Sequence, residues 1–332
     1  MRLIPRALLC AGAALALAAC SSMSDSVPKH ERPLSQAMRD LIRDKGMTER
    51  APILVRTFKK ESELEVWKQR RDGTYALLKT YPVCRWSGQL GPKLREGDRQ
   101  TPEGFYMVGS RQMNPRSAYY LSYDIGYPNA YDRALGRTGG DVMVHGACTS
   151  RGCFAMTDEQ AAELYALARE AFDGGMTAFP VHSFPFRMTA SNLAKHRADE
   201  NIAFWKNLKE GHDHFEVSKR PPQVAACGGR YVFNAKRTDG GADIEADAAC
   251  PALTPDPILS VKVAEKQARD EVEVSRLIAQ GTEAVRAVYA DGSMHPSFAN
   301  KITGADGQTA LAFKQAGVSR PEKVKLEPTY IP

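Results

Sequence analysis

Between residues 52 and 108, short apolar or alternating segments follow one another with only brief turns between them. Residues 53–58, 63–68, 75–81 and 105–108 have the composition or the two-residue alternation of β-strands. Asp72-Gly73, between the second and third segments, is a dipeptide typical of hairpin turns. Closely spaced strands favour a β-sandwich or a barrel, so we expect a mainly β domain.

Helical patterns flank this β-rich part. Residues 34–45 carry apolar side chains at helical spacing. Thr157, with Gln160 three positions on, forms a capping-box pattern before an apolar stripe that ends at Gly174-Gly175. The other predicted elements are helices at residues 192–208 and 261–289, the second weakened at Gly281, and β segments at residues 179–184 and 231–233. The expected fold class is therefore α+β, mainly β with flanking helices.

A histidine and a cysteine lie close together after one predicted strand. His145 follows the apolar run Val142-Met143-Val144, and the Gly-bearing loop after it ends at Cys153. A thiol is a strong nucleophile only as its thiolate, and a nearby imidazole can take its proton. The pattern therefore predicts a cysteine-dependent acyl-transfer enzyme with Cys153 as nucleophile and His145 as base.

Zinc is the alternative for this cluster. A site built from His145, Cys148 and Cys153 would need a fourth ligand or water, and no second ligand pair stands at a helpful spacing. His212-Asp213-His214 is a second possible metal pair, but a polar turn after a helix is the simpler interpretation. His182 lies near the end of a predicted strand and is either a structural histidine or a residue that touches the site. We expect no metal and no organic cofactor.

The N-terminus predicts export and a lipid anchor. Arg2 and Arg6 precede an apolar stretch, residues 7–16, which is too short to span a bilayer as a mature helix. Leu17-Ala18-Ala19-Cys20 resembles a bacterial lipobox, which implies cleavage before Cys20 and acylation of its thiol and new amino group. Ser21 after the cysteine favours the outer membrane of a diderm bacterium. The alternative is an ordinary signal peptide with a chance cysteine.

Cysteine usage fits an oxidising periplasm. The seven cysteines include Cys10 in the leader and Cys20 at the proposed lipid site. Without these and the nucleophile an even number remains, which suits disulfides. Four cysteines allow three pairings and the sequence does not choose among them. We favour Cys84 with Cys148, and Cys227 with Cys250.

Composition excludes one class of partner and leaves the domain count open. Hydrophobic residues make up 43% and charged residues 25% of the 332, the range of an ordinary globular protein. The net charge is +6, and Arg2 and Arg6 supply two of these positives, which leaves +4. Such a small excess gives no reason to expect nucleic-acid binding. The expected divisions are a signal peptide (1–19), a lipidated tether with a leading helix (20–50), a catalytic domain (51–220) and a C-terminal appendage (221–332), partly disordered, whose role the sequence does not indicate.

Three motifs together resemble a known family. Thr101-Pro102-Glu103-Gly104-Phe105, then His145-Gly146, then Ser150-Arg151-Gly152-Cys153, are similar to the L,D-transpeptidase catalytic domain of the YkuD type, with likeness over residues 52–186. The resemblance implies a β-sandwich, Cys153 as acyl acceptor, His145 as base, and peptidoglycan stem peptides with diaminopimelate as substrate. It implies that Gly146, Ser150 and Gly152 shape the loop, and that backbone N–H groups around Gly152 and Cys153 hold the oxyanion.

One departure suggests a particular branch. Most members of the family have an arginine two positions after the cysteine, thought to help hold the donor peptide, and here that position is Ala155. The loop between histidine and cysteine is also short. With residues 88–97, 129–134 and 185–189, these departures resemble the branch that contains the murein diaminopimelate–protein amidase, and the likeness then covers residues 53–224. This branch implies hydrolysis of the link between diaminopimelate and a covalently attached envelope lipoprotein or outer-membrane protein.

Three functions remain open from the sequence. We favour a hydrolase that detaches proteins from peptidoglycan over a transpeptidase that forms cross-links or protein–peptidoglycan links. A non-catalytic wall-binding lipoprotein is the third, and the intact histidine–cysteine pair argues against it. Tyr131 or Asp132 is a candidate to orient substrate or His145, and Arg133 is a candidate to hold a stem carboxylate. Each of these three has a structural alternative.

Overall fold

The computed structural model describes residues 27–241, 243–299 and 322–325. Local sequence accounts for several of its elements. The first described helix begins after Ser35, whose side chain accepts the Met38 N–H, and Gly46 follows its end with φ of +70°. Thr157 and Gln160 form the expected capping box in front of the long central helix.

The helices are α1 (Gln36–Asp44), α2 (Ala130–Ala134), α3 (Asp158–Asp173), α4 (Ala190–Lys195), α5 (Ile202–Ser218), α6 (Pro257–Ala279) and α7 (Pro296–Ala299). The strands are β1 (Ile53–Phe58), β2 (Glu63–Gln69), β3 (Tyr75–Pro82), β4 (Gly104–Gly109), β5 (Met113–Asn114), β6 (Ser122–Asp124), β7 (Met143–His145), β8 (Phe154–Ala155), β9 (Ala178–Phe184), β10 (Val224–Cys227), β11 (Arg230–Phe233), β12 (Ala235–Arg237), β13 (Leu253–Pro255), β14 (Val285–Val288) and β15 (Glu322–Lys325). The predicted strands β1 to β4, β9 and β11 are confirmed, and so is the α+β class.

Two sheets make up the catalytic part. The first has five strands in the order β3-β2-β1-β9-β4, with β1 and β9 parallel and the other pairs antiparallel. The second has four strands in the order β5-β6-β7-β8, and its β7–β8 pair is parallel. The two sheets contribute to one hydrophobic core, in which the rings of Tyr123 and Phe179 lie 5.4 Å apart. His145 is the last residue of β7, and β8 begins directly after Cys153.

The predicted helix at residues 192–208 is wrong in both its continuity and its end. α4 stops at Lys195, and a turn held by hydrogen bonds to Asp199 precedes α5. Asp and Asn compete for backbone hydrogen bonds and so favour such breaks. α5 then runs on to Ser218, because Leu208 and Phe215 on it are fully buried. The interpretation of His212-Asp213-His214 as a turn is therefore also wrong, since these residues lie inside α5.

The predicted helix at residues 261–289 is correct only in part. α6 begins at Pro257, capped by Asp256, and ends at Ala279. Gly281 has φ of +87° and turns the chain, so residues 285–288 form β14 instead of more helix. Glycine reaches this conformation at no steric cost, which is why it ends the helix here.

The described residues after residue 220 pack against the rest of the molecule. The side chain of Tyr289 is buried and lies 4.9 Å from the ring of Trp86. Lys209 on α5 pairs with Asp270 on α6 at 2.5 Å. Residues 242, 300–321 and 326–332 of the expected appendage, and the expected signal peptide and Cys20 (residues 1–26), lie outside the described residues. Within the described part, no helix is both long enough and apolar enough to cross a bilayer.

Two disulfides join the four cysteines in the pairs expected from the sequence. Cys84 is bonded to Cys148 with a Cα–Cα distance of 5.3 Å, and Cys227 to Cys250 with 4.8 Å. Cys153 is the free cysteine among the described residues. The first disulfide ties the loop between His145 and Cys153 to the chain just after β3.

Candidate active site

The Cys153 thiol is half-buried, and Cys153 directly precedes β8. Its Sγ accepts a hydrogen bond from the Met143 N–H at 3.4 Å and donates to the Asp141 carbonyl oxygen at 3.6 Å. Burial raises the pKa of this thiol above its usual value of 9.0, although the Met143 N–H opposes the rise. At neutral pH the resting group is therefore a thiol, and it needs a base to become a nucleophile.

His145 is placed to be that base. Its Nδ1 lies 2.6 Å from the Gly146 carbonyl oxygen. A carbonyl oxygen can only accept, so Nδ1 carries the proton and Nε2 keeps the free lone pair. Burial lowers the pKa of His145 below 6.5, and the bond to Gly146 opposes this only in part. The ring of Tyr119 lies 4.7 Å away and covers the imidazole. The imidazole is thus neutral at pH 7 and can accept a proton.

The sheet brings the two groups to one edge. β7 and β8 run parallel in a register that pairs His145 with Ala155. Cys153 is two residues before Ala155, beside Met143, which is two residues before His145. Because side chains alternate along a strand, Met143 and His145 point to the same face of the sheet. In the described structure His145 and Cys153 do not hydrogen bond directly, an arrangement common in active sites without substrate.

Two serine hydroxyls hold the backbone next to the nucleophile. Ser150 Oγ donates to the Cys153 carbonyl oxygen at 2.7 Å and accepts the Cys153 N–H at 3.0 Å. Ser87 Oγ accepts the Gly152 N–H at 2.5 Å and lies 3.1 Å from Ser150 Oγ. Gly152 has φ of +121°, a conformation that favours glycine. These hydrogen bonds hold the backbone at Gly152 and Cys153, and they include Ser87, which the sequence did not indicate.

The same contacts bear on the oxyanion site. The N–H groups of Gly152 and Cys153, implied by the resemblance as oxyanion donors, already donate to the hydroxyls of Ser87 and Ser150. An oxyanion bound there would have to replace these hydroxyls. The Met143 N–H, which points at Cys153 Sγ, is a further donor at the reacting atom.

The first half of the loop is held by close packing and by Asp158. A Cβ on Gly146 would lie 2.5 Å from Asp158 Oδ1 and 3.0 Å from Tyr120 Cβ, so only glycine fits. Asp158 Oδ1 accepts the Ala147 N–H at 2.8 Å. Ala147 and Cys148 have positive φ angles of 64° and 54°, which non-glycine residues seldom adopt. Gly146 is therefore a structural requirement of the turn that follows the base.

Tyr131, Asp132 and Arg133 lie on α2, and their described contacts do not include His145. Asp132 is fully buried and pairs with Arg137 at 2.8 Å. The Tyr131 ring stacks on Phe204 at 6.1 Å. Arg133 donates to the Pro128 carbonyl oxygen and borders a cavity of about 490 Å³ that neither Cys153 nor His145 lines. The described contacts of Tyr131 and Asp132 are structural.

Three further histidines of the catalytic part, His182, His196 and His212, are buried, and His214 is half-buried. His182 is buried against the Phe105 ring at 4.8 Å, and burial lowers its pKa to about 3. His212 lies near Asp213, with an Nδ1–Oδ1 distance of 3.4 Å. Asp213 in turn pairs with Lys209 and with Lys266. Among the described residues, no group of three or more histidine, cysteine or acidic side chains is arranged to hold a metal ion.

The part of the chain that forms this site is similar to known proteins. The family described as "YkuD: L,D-transpeptidase catalytic domain" matches residues 55–182. YafK of Escherichia coli strain K12, whose name places it among the L,D-transpeptidases, is 42% identical over 184 residues, which are 55% of this chain and 74% of YafK. YafK of E. coli O157:H7 matches equally well.

Solved structures resemble the chain more distantly. The helical cell shape determining protein Pgp2 from Campylobacter jejuni is 19% identical, with a TM-score of 0.32 over 75% of this chain and 80% of Pgp2. Bd1075 of Bdellovibrio bacteriovorus is 16% identical, with a TM-score of 0.30 over 53% of this chain and 77% of that one. TM-scores this low do not bear on function.

The fold and the site are those of a cysteine-dependent acyl-transfer protein, in which the nucleophile ends the loop between β7 and β8. The chain belongs to the L,D-transpeptidase family, which acts on peptidoglycan. This membership supports a cysteine-dependent peptidoglycan-modifying enzyme.

Proposed function

We propose that this enzyme hydrolyses the amide bond between peptidoglycan diaminopimelate and a covalently attached envelope protein. The observation that carries the choice is Ala155, which is fully buried and lies opposite His145 in the β7–β8 register. In the transpeptidases that the sequence resembles, an arginine takes this position. Because that arginine is expected to hold the donor stem peptide, its absence beside the base supports a different donor, such as a stem peptide linked to an envelope protein, and water is the simplest acceptor for the acyl group.

The site chemistry supports acyl transfer through a thioester. His145 Nε2 takes the Cys153 proton, and the Met143 N–H stabilises the thiolate as it forms. The thiolate attacks the diaminopimelate carbonyl carbon. The amine then leaves with the proton from His145, which becomes neutral again. His145 next takes a proton from water, hydroxide adds to the thioester, and the products are a free carboxyl group and the Cys153 thiol.

The proposed location is the periplasmic face of the outer membrane. The lipobox-like segment ending at Cys20 supports an acylated N-terminus, and the two disulfides among described residues fit an oxidising compartment. A lipid anchor there would hold the enzyme near proteins that link the membrane to peptidoglycan. Incorporation of labelled fatty acid into the wild type but not into Cys20→Ala tests the anchor.

L,D-transpeptidation is the second candidate function. It is supported by the family to which the chain belongs and by the name of its E. coli relative. The acyl-enzyme would be the same in both reactions. Only the acceptor would differ, because an amine would take the place of water.

A digest of protein-bearing sacculi distinguishes the candidates. The lipid-free chain from Ser21 onward is incubated with sacculi that carry bound protein, beside Cys153→Ala, and the products are analysed by mass spectrometry. Release of protein-derived residues from diaminopimelate by the wild type alone supports the hydrolase. New diaminopimelate cross-links or protein links would instead establish the transpeptidase. If no change depends on Cys153, both proposals fail and a wall-binding protein remains.

A further inference from the structure

A segment after β14 packs against residues 83–89, whose Ser87 hydroxyl binds the loop that carries Cys153. Residues 289–295, here called the strap, run beside residues 83–89. Trp86 and Ser293 exchange two backbone hydrogen bonds, at 3.0 and 3.1 Å. The Gln89 side chain also donates to the Tyr289 carbonyl oxygen, and its amide oxygen accepts the Tyr289 N–H at 2.9 Å. The strap is thus paired to the chain that contains Ser87.

One carboxylate on the strap, that of Asp291, contacts Arg85, Gly88 and Arg99. Asp291 Oδ2 lies 3.3 Å from the Arg85 guanidinium and 2.5 Å from that of Arg99. Asp291 Oδ1 accepts the Gly88 N–H at 3.4 Å. The side chains of Arg85 and Asp291 are 3% and 22% exposed, so solvent screens this pair little. Charge-assisted contacts of this kind are stronger and more specific in geometry than neutral ones.

Through Arg85 and Arg99, two of these contacts reach the backbone at or next to the nucleophile loop, which is residues 146–153. Arg85 forms an antiparallel bridge with Ala155, with N–H···O distances of 2.8 and 3.1 Å. Arg99 has φ of +57°, and its carbonyl carbon lies 3.9 Å from where a Cβ on Gly152 would stand. Asp291 therefore ties together the two chain segments that enclose the backbone around Cys153.

The third contact acts through a side chain. Gly88 follows Ser87, whose hydroxyl accepts the Gly152 N–H and lies beside Ser150 Oγ. Ser87 is also held by Thr101, since the Ser87 N–H donates to Thr101 Oγ1 at 3.2 Å. A shift of residues 87–88 would therefore move the hydroxyl that fixes Gly152.

We propose that Asp291 is a positioning residue for the nucleophile, which holds Cys153 in place through Arg85, Arg99 and the Ser87–Gly88 backbone. The inference rests on the proposed function in that Cys153 is taken as the nucleophile. It assigns the strap a part in the active site. Asp291 does not touch the reacting atoms, so its effect is on the geometry of attack rather than on proton transfer.

The amide variant Asp291→Asn isolates this effect. It keeps the side-chain volume and removes the charge that binds both guanidinium groups. Small misplacements of reacting groups are costly in enzymes, and we expect a loss of about tenfold in kcat with little change in KM. A contribution to stability alone would lower the melting temperature but leave kcat unchanged at a temperature where the variant is folded.

The experiment compares full-length mature variants at such a temperature. Release of protein from sacculi gives kcat and KM, and the rate of Cys153 alkylation by iodoacetamide gives a second measure that needs no substrate. The matched control is Glu273→Gln, which breaks the exposed pair with Arg276 on α6. Asp291→Asn should slow both catalysis and alkylation, and the control should match the wild type.

A second variant covers the case in which Asp291→Asn does not fold. Arg99→Gln removes one partner of Asp291 from a side chain that is 51% exposed, so it leaves no buried charge unpaired. It should lower kcat in the same direction. Equal kcat and alkylation rates in both variants and the control would overturn the proposal. Loss of the proposed function is distinguishable, because then the wild type would show no Cys153-dependent release while the alkylation comparison would still stand.

Discussion

His145 and Ala155 lie directly opposite each other across the parallel strands β7 and β8. On its other side Ala155 forms a bridge with Arg85, so the three residues make a row across the sheet. Ala155 has no exposed surface, and the Arg85 guanidinium is almost fully buried. Paired residues on neighbouring strands share a face, which leaves little volume beside Ala155 for a longer side chain.

An arginine at this position should therefore destabilise the protein. Ala155→Arg would force a long cationic side chain into a filled space beside a buried guanidinium. We expect a loss of more than about 3 kcal/mol in the free energy of unfolding, from overpacking and from an unpaired buried charge. Urea unfolding measures it, and Ala155→Ser serves as the small-residue control. A stable Ala155→Arg enzyme would contradict this expectation. If that variant, unlike the wild type, formed cross-links with added amine, residue 155 would decide between the two reactions and the hydrolase would gain support.

The pKa shifts of Cys153 and His145 predict how reactivity depends on pH. Burial raises the thiol pKa above 9.0, so thiolate accumulates in the free enzyme only as the pH rises through and beyond that value. Burial lowers the pKa of His145 below 6.5, so the imidazole stays neutral until the pH falls under that value. The rate of alkylation by iodoacetamide should thus still increase at pH 9, whereas kcat/KM should fall only below pH 6.5.

Removing the base tests the same assignment. His145→Gln should lower kcat/KM by about 10²- to 10⁴-fold, the usual contribution of a general base. Its residual activity should increase with pH, since hydroxide would then have to generate the thiolate. An alkylation rate that reaches a plateau below pH 7 in the wild type would instead indicate a preformed thiolate–imidazolium pair.

The sequence predicts those parts of the fold that depend on local signals. β1 to β4 follow from alternation and β-branched composition, and α3 follows from its capping box. Helical periodicity does not predict the break after Lys195 or the strand β14, because a short polar turn and tertiary pairing override the continuous helical pattern there. Where packing decides, local periodicity is a weak guide.

The residues of the candidate site likewise fall into those that a local motif predicts and those that only long-range contacts bring there. His145 and Cys153 belong to one short motif and could be found from their spacing alone. Ser87 and Asp291 could not be found, because each reaches the loop only through long-range contacts. Thr101 carried a partial signal, since it begins a motif that the family shares, but its hydrogen bond to the Cys153 carbonyl oxygen needs the folded chain.

The two disulfides should have similar effects on stability and different effects on chemistry. They close loops with sequence separations of 64 and 23 residues. Chain entropy gives about 4 and about 3 kcal/mol of stabilisation for such loops. The double variant Cys84→Ser/Cys148→Ser should also slow Cys153 alkylation, because Cys148 belongs to the nucleophile loop. Cys227→Ser/Cys250→Ser should leave that rate unchanged at a temperature where both variants are folded, and equal rates in both variants would contradict the assignment.

The motif that includes Glu103 should prove to be a stability element rather than a catalytic one. Lys59 Nζ lies 2.9 Å from Glu103 Oε1, and both side chains are fully buried. Trp205 Nε1 donates to the other carboxylate oxygen at 2.8 Å. Burial lowers the pKa of Lys59 and Glu103 opposes this, so Glu103→Gln removes the counter-charge from a buried amine. We expect a loss of about 3–5 kcal/mol in the free energy of unfolding, measured with urea. Glu273→Gln, which breaks an exposed pair, should show no measurable change, and an equal response of the two variants would mean that the Lys59–Glu103 pair is dispensable.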